Sequence, residues 1–379
     1  MIITIDTRWV RSKKLDGIAQ AVLNLVKNIL LGDQKNKYQL LFNKAEVKEI
    51  IKSYLPPNRH NYKFIQTDIK LISVKEVFAL PRFLESINTE VFYSPHYVTW
   101  PFSQSYKTIL TVHDLIPFIL SKNLSKSSLK WRIFYKFSWP TRYLLKKTDY
   151  IIADSKATKN DIKKLFKIND AKIKVIYNGV DDSFYLSKLV NSEILDKYNL
   201  SSSFILYVGR FDPYKNILGL IKSYHSLNQD IKNKYKLILG GDTKSPYYPQ
   251  VKNLIQKLNL KENILFTGYI SQKDLPAIYK TSSLFVFPSF YEGFGLPVLE
   301  AMASGTPVIT SNTSSLPEVA DYAAFLVDPK NTKEITKAME EILTNNKLKN
   351  ELILKGQDQS KKFTWQKSAE KLINIFKVI

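Results

Sequence analysis

The sequence predicts an α/β protein of two domains, each a parallel β-sheet covered by helices. The 379 residues suit two domains, each with its own core. Short apolar runs alternate with stretches of helical periodicity along the whole chain, as successive βα units require. One such unit is compressed into residues 283–310. There Ser283-Leu284-Phe285-Val286-Phe287 reads as a buried strand stopped by Pro288, and a loop follows with Glu292, Gly293 and Gly295. Pro297 suits a first helical turn, which needs no amide hydrogen, and the helix should run to about Ser304. Gly305 is a left-handed cap, Thr306-Pro307 bars continuation, and Val308-Ile309-Thr310 opens the next strand.

Composition narrows the classes. At 44% hydrophobic and 24% charged the chain is an ordinary globular one, and no run approaches the ~18 apolar residues of a membrane span. Met1-Ile2-Ile3-Thr4-Ile5-Asp6 looks like a first strand and has no signal-peptide pattern, which points to the cytoplasm. The absence of cysteine excludes disulfides, thiolate metal sites and thiol nucleophiles. The net charge of +22 would draw anionic lipid, a phosphorylated substrate or nucleic acid, or it reflects a lysine-rich composition. With no zinc-finger spacing, RNP signature or compact basic block, nucleic acid is not the expected partner.

In chain order, residues 1 to 6 form a strand, and Ile18, Ala21, Val22, Leu25, Val26, Ile29 and Leu30 recur at helical spacing behind Asp16-Gly17. Asp16 can serve as an N-cap. Strand-like runs follow at 38–42, 62–65, 91–94 and 107–112, the last ending in His113-Asp114. Polar groups at the carboxyl end of a buried strand point into the crevice where open α/β sheets bind ligands. Residues 130–147 mix aromatic and basic side chains, and could rest on an anionic membrane surface or form a helix pair broken at Pro140. Thr148 to Ala153 is a strand, Ser155 can cap the next helix, and 174–177 is the last strand before the Asn178-Gly179 break. The domains are then 1–178, 179–364 and a tail helix, 365–379, which crosses back to the first.

The second half repeats the alternation with strands at 204–208, 236–239 and 263–269, a helix carrying Leu275, Ile278 and Tyr279, and the unit already described. The loop Gly209-Arg210-Phe211-Asp212-Pro213-Tyr214-Lys215-Asn216 is bracketed by two cations. At 287–300 the free amides and positive dipole of a helix start, approached through glycines, suit a phosphate. Glu292 and Glu300 flank that spot, and an ionised carboxylate there needs hydroxyl donors as partners. A nucleotide sugar offers a diphosphate with hydroxyls on both sides.

These residues closely resemble the Glu-x7-Glu motif of retaining glycosyltransferases of family 4. The likeness extends to His113-Asp114, to the Gly-Arg-x-x-Pro-x-Lys-Asn loop, to Asn178-Gly179-Val180-Asp181 and to Phe363-Thr364-Trp365-Gln366. It implies the GT-B type of α/β fold, two Rossmann-like domains facing across a cleft, with the acceptor on the first and the nucleotide-sugar donor on the second. Arg210 and Lys215, with the amides of Gly293, Phe294, Gly295 and Leu296, would hold the donor diphosphate. Glu300 would take the ribose diol, Glu292 the sugar hydroxyls as a catalytic group, and His113 with Asp114 would sit beside the transferred sugar. Gly17 would lie in a loop over the cleft, although many relatives carry two adjacent glycines where this chain has Asp16-Gly17. No Asp-x-Asp pair occurs, so no metal is expected, and the cations and helix dipole would stabilise the leaving group. No cofactor beyond the donor is implied.

The opening Ile5-Asp6-Thr7-Arg8 and Val112-His113-Asp114-Leu115-Ile116-Pro117 look most like bacterial mannosyltransferases of surface polysaccharide assembly. That favours GDP-mannose over a UDP-sugar, with a glycan or lipid-linked oligosaccharide acceptor. A nucleotide-sugar epimerase of the same fold and a non-catalytic basic binding protein are the other classes that fit.

Overall fold

The computed structural model describes residues 1–10, 15–120, 139–186, 192–201 and 203–379. Two compact units divide them: Met1–Leu115, Lys136–Gly179 and Thr364–Ile379 form the first, Ile116–Tyr135 and Val180–Phe363 the second, each over its described residues.

In the first unit a seven-stranded parallel sheet is built from β1 (Ile2–Asp6), β2 (Lys37–Phe42), β3 (Tyr62–Gln66), β4 (Val91–Ser94), β5 (Lys107–Val112), β6 (Tyr150–Ala153) and β7 (Ile173–Val175), in the order β3-β2-β1-β4-β5-β6-β7. The central strands are buried along nearly their whole length, as strands covered on both faces must be. Strand order reverses beside β1, so the loops after β1 and β4 diverge and leave a crevice at their carboxyl ends. Helix Gly17–Gly32 is capped by Asp16, whose Oδ1 accepts from the Ala19 amide at 2.9 Å. It packs against the returning helix Trp365–Val378. Ser155 caps Lys156–Phe166 by accepting from the Thr158 amide.

The second unit holds a six-stranded parallel sheet: β8 (Phe204–Val208), β9 (Lys236–Gly240), β10 (Ile264–Gly268), β11 (Leu284–Phe287), β12 (Val308–Ser311) and β13 (Phe325–Val327), ordered β10-β9-β8-β11-β12-β13. Its switch point falls between β8 and β11, the strands that carry the Arg210–Lys215 loop and the Glu292–Gly295 loop.

Expected boundaries shift slightly. The strand expected at 174–177 covers Ile173–Val175, and the helix expected from Pro297 runs from Leu296 to Ala303, with Pro297 in its first turn. Pro140 is the second residue of the described helix Trp139–Lys147, a place where no amide is needed. The rest of the aromatic and basic stretch, 130–138, lies outside the described residues. Among the described residues no helix is long and apolar enough to cross a membrane.

Candidate active site

At the switch point of the second unit, β11 ends in Phe287 and the chain turns through Pro288 into the loop before helix Leu296–Ala303. Gly295 occupies the helix N-cap with φ +111°, and a Cβ there would stand 2.8 Å from Leu316 Cδ2. Only glycine meets both demands without strain. The loop is tied from beneath by Ser315, whose hydroxyl donates to the carbonyls of Glu292 (2.9 Å) and Phe294 (2.8 Å). Ser314 accepts from the Glu292 amide at 2.9 Å.

Lys215 reaches this loop from the end of β8. Its Nζ donates to both carboxylate oxygens of Glu292, at 2.7 and 2.9 Å, with the two side chains 12% and 10% exposed. The ammonium also lies 5.0 Å from the Phe287 ring centroid and 5.1 Å from that of Tyr214. Asn216 anchors the turn. In the left-handed region (φ +56°), it donates through Nδ2 to the carbonyls of Pro288 (3.1 Å) and Pro329 (2.6 Å), at the ends of β11 and β13. Gly219 makes room, since a Cβ there would lie 2.3 Å from Asn216 Oδ1. The Lys-Asn-Ile-Leu-Gly segment is therefore shaped to hold one cation against Glu292.

Arg210 differs. Its carbonyl accepts from the Tyr207 hydroxyl at 2.8 Å, while its side chain is 78% exposed. Nε lies 2.8 Å from Asp212 Oδ2 without hydrogen-bond alignment, so the guanidinium is loosely held and open to an anion. Glu300, on helix Leu296–Ala303, accepts from the Tyr279 hydroxyl at 3.2 Å. Its carboxyl is enclosed by protein although its surface is only partly covered. Burial pushes it up to about 7, the Tyr279 hydrogen bond opposes this, and the charge of Asp181 adds to it. Glu292 and Lys215 can thus exchange their mutual pairing for a ligand's hydroxyls and phosphates, and Glu300 must lose a proton to accept two hydroxyls.

In the first unit His113 follows β5. Its Nδ1 lies 2.6 Å from Asp154 Oδ2, which also accepts from Asn178 Nδ2 at 2.8 Å. Burial lowers the affinity of His113 for its proton, but Asp154, with Asp114 and the Pro95 carbonyl, more than offsets this and raises it. Asp114 acts on the ring through its charge, and the carboxylate hydrogen-bonded to Nδ1 is that of Asp154. Nε2 is buried and makes no hydrogen bond of good geometry, with the Pro95 carbonyl near the ring. At the neighbouring switch point Trp9 stacks on His96 (centroids 4.2 Å), whose ring centroid is 6.2 Å from that of His113. Gly17 heads its helix with nothing within 4 Å of a Cβ, so no close approach requires glycine there. The loop residues 11–14 before it lie outside the described residues.

Residues 42–184 match the family described as Glycosyltransferase Family 4, and residues 191–359 match Glycosyl transferases group 1. The chain belongs to the family 4 glycosyltransferases. The serotype-specific mannosyltransferase WbdA of Escherichia coli is 32% identical to this family 4 chain over 276 residues, covering 72% of this chain and 33% of its own. The O-antigen chain mannosyltransferase B of Escherichia coli is 36% identical over 187 residues, 49% of each chain. The chain therefore spans about a third to a half of the length of these curated relatives. Sucrose-phosphate synthase from Thermosynechococcus elongatus superposes with a TM-score of 0.75 at 20% identity, over 99% of this chain and 98% of that one. Anabaena HepE, in complex with UDP-glucose, superposes at 0.74 and 16% identity, over 100% of both. These likenesses establish the GT-B fold for this family 4 chain.

Three residues of this family 4 chain were not evident from the sequence. Asp154 and Asn178 were visible only as a strand end and a turn, and His96 carried no motif. The available signal for Asp154 was positional: in the register of β5 and β6 Val112 faces Ala153, so the residues that follow, His113 and Asp154, leave the sheet side by side.

Proposed function

We propose that this chain is a retaining transferase that moves a hexose, mannose by preference, from a nucleoside diphosphate sugar to a glycan or lipid-linked acceptor in surface polysaccharide synthesis. The observation that carries the reading is the meeting of Lys215 with Glu292 beside the Gly295-capped helix that bears Glu300, at the switch point of the second sheet. An open α/β sheet binds its ligand there, and a helix start with an adjacent cation suits a diphosphate. Arg210 and Lys215 stabilise the charge that grows on the leaving nucleotide, and this charge-assisted help is greater in the transition state than in the ground state.

In the reaction the bond from the anomeric carbon to the diphosphate oxygen breaks, and a bond to the acceptor oxygen forms on the same face. The acceptor proton passes to the departing diphosphate. Glu292 orients the sugar hydroxyls once Lys215 turns to phosphate, Glu300 holds the ribose diol, and His113 with Asp114 meets the transferred sugar. Mannose is favoured by the likeness to the mannosyltransferases WbdA and mannosyltransferase B, and a guanine nucleotide is the donor we propose to carry it.

The acceptor would be met at the inner face of the cytoplasmic membrane. Helix Trp139–Lys147 exposes Trp139 and Tyr143 beside Arg142, Lys146 and Lys147, a combination that suits an anionic lipid surface. Sedimentation with anionic and neutral vesicles tests that contact: equal retention by both would exclude it.

A thermal-shift panel of GDP, UDP, ADP and their sugars tests the donor, since a ligand bound only by the folded state raises Tm. GDP and GDP-mannose should give the largest shifts. Incubation with the donor alone then separates transfer from isomerisation: a free epimerised sugar would replace this function by that of an epimerase, and silence toward every nucleotide would remove both.

A further inference from the structure

The polar cluster at the carboxyl ends of β5 and β6 contains two side chains to which no role has been given. Asp154 is 5% exposed, and its Oδ2 collects the imidazole Nδ1 of His113 at 2.6 Å and the Asn178 amide at 2.8 Å. A small cavity beside it is lined by Tyr93, Thr111, Ile176 and Trp365, so bulk water does not compete for this carboxylate. His113 is faced by Asp154 from β6, by Asp114 from its own loop, and by the Pro95 carbonyl and the His96 ring from the segment after β4. Thr158, on the helix after β6, donates to the His113 carbonyl at 3.4 Å. With Nδ1 engaged, Nε2 is the ring atom left for a ligand, and it is buried with the Pro95 carbonyl near the ring but no hydrogen bond of good geometry.

We propose that Asp154, steadied by Asn178, is a positioning residue for His113: it accepts the Nδ1–H hydrogen bond, sets the tautomer, and so aims Nε2 at a hydroxyl of the transferred sugar. The inference rests on the reading that His113 meets that sugar. A histidine whose Nδ1–H is held by a carboxylate has one fixed orientation and a stabilised imidazolium, and both are lost when the acceptor is neutral. Asn178 holds the second side of the arrangement, immediately before Gly179, where the chain leaves the first unit.

Ring-nitrogen NMR on the full chain tests this. With four histidines, the His113 signals are assigned by their loss in His113→Gln. In the wild type Nδ1 should stay protonated throughout, with a midpoint above the ordinary histidine value of ~6.5. Asp154→Asn should lower that midpoint by about one pH unit or more, because burial then acts without the carboxylate. It should also reduce kcat for turnover of the nucleotide sugar on the order of tenfold or more, with KM nearly unchanged. Asn178→Ala keeps the carboxylate but removes the donor that shares it, so the midpoint should rise slightly while the less firmly held ring lowers kcat by less than in Asp154→Asn, and it serves if Asp154→Asn does not fold. A His113 that titrates in either folded variant as in the wild type overturns the proposal, as does an unchanged kcat in Asp154→Asn. A wild type inert toward every nucleotide sugar would instead sink the transfer reading, and the titration would still decide whether Asp154 governs His113.

Discussion

Glu300 should make nucleotide binding depend on pH in a way that its amide variant does not. Its carboxyl is pushed from 4.5 up to about 7 by burial, so in the ligand-free protein it is half protonated near neutrality. A ribose diol brings two O–H donors, which only the ionised carboxylate accepts together. If binding restores an ordinary carboxylate, affinity should fall about 20-fold between about pH 7.5 and about pH 5.5, approaching tenfold per unit at the steepest. Calorimetry with a nucleotide sugar reads this cleanly, because its diphosphate has no ionisation in that range. Runs near neutrality in two buffers of different ionisation enthalpy should report release of a fraction of a proton. Glu300→Gln should bind more weakly at high pH and show neither the slope nor the proton release. The sign for folding is opposite. A carboxyl whose folded value is raised contributes stability below about pH 4.5, and that stability is lost as pH rises through about 7, by at most roughly 3 kcal/mol. The ligand-free variant should therefore gain on the wild type as pH rises. Equal pH slopes for wild type and Glu300→Gln would refute the assignment of the ribose to Glu300.

Three further outcomes follow from single contacts. Lys215→Met strands the enclosed Glu292 carboxylate and should destabilise the chain by about 3 kcal/mol in urea, while Lys215→Met with Glu292→Gln recovers most of that loss but no activity. Donor turnover should drop on the order of 100-fold in Lys215→Met and in Arg210→Ala alike, whereas Arg210→Ala, whose side chain is exposed, should leave Tm nearly unmoved. Gly179→Ala would set a Cβ 2.1 Å from the Trp365 backbone nitrogen, so a loss of about 1–3 kcal/mol is expected by thermal denaturation, and a wild-type Tm would contradict the packing of that junction.

Local chemistry was legible because it is written in neighbouring residues. Asp16, Ser155 and the Pro297–Gly305 segment begin and end helices within one residue of expectation, since caps, prolines and left-handed glycines act over a single turn. The alternation of buried strands and amphipathic helices was equally plain, because a strand covered on both faces must be apolar throughout. Partners were not legible. His113 and Asp114 are adjacent in sequence, yet the carboxylate bonded to the ring is 41 residues away, because parallel register places the residue after β6 beside the residue after β5.

From the chain alone come the α/β class, the order of the elements, and the glycine, lysine and glutamate positions that mark a phosphate and hydroxyl site. Those depend on periodicity and on backbone preferences that each residue carries with it. Only the tertiary structure decided that Lys215 would lie on Glu292 across 77 residues, that Asn216 would fasten the ends of two strands, and that burial would hold Glu300 near neutrality. Strand order and enclosure set these, and both belong to the packed sheet rather than to any stretch of sequence.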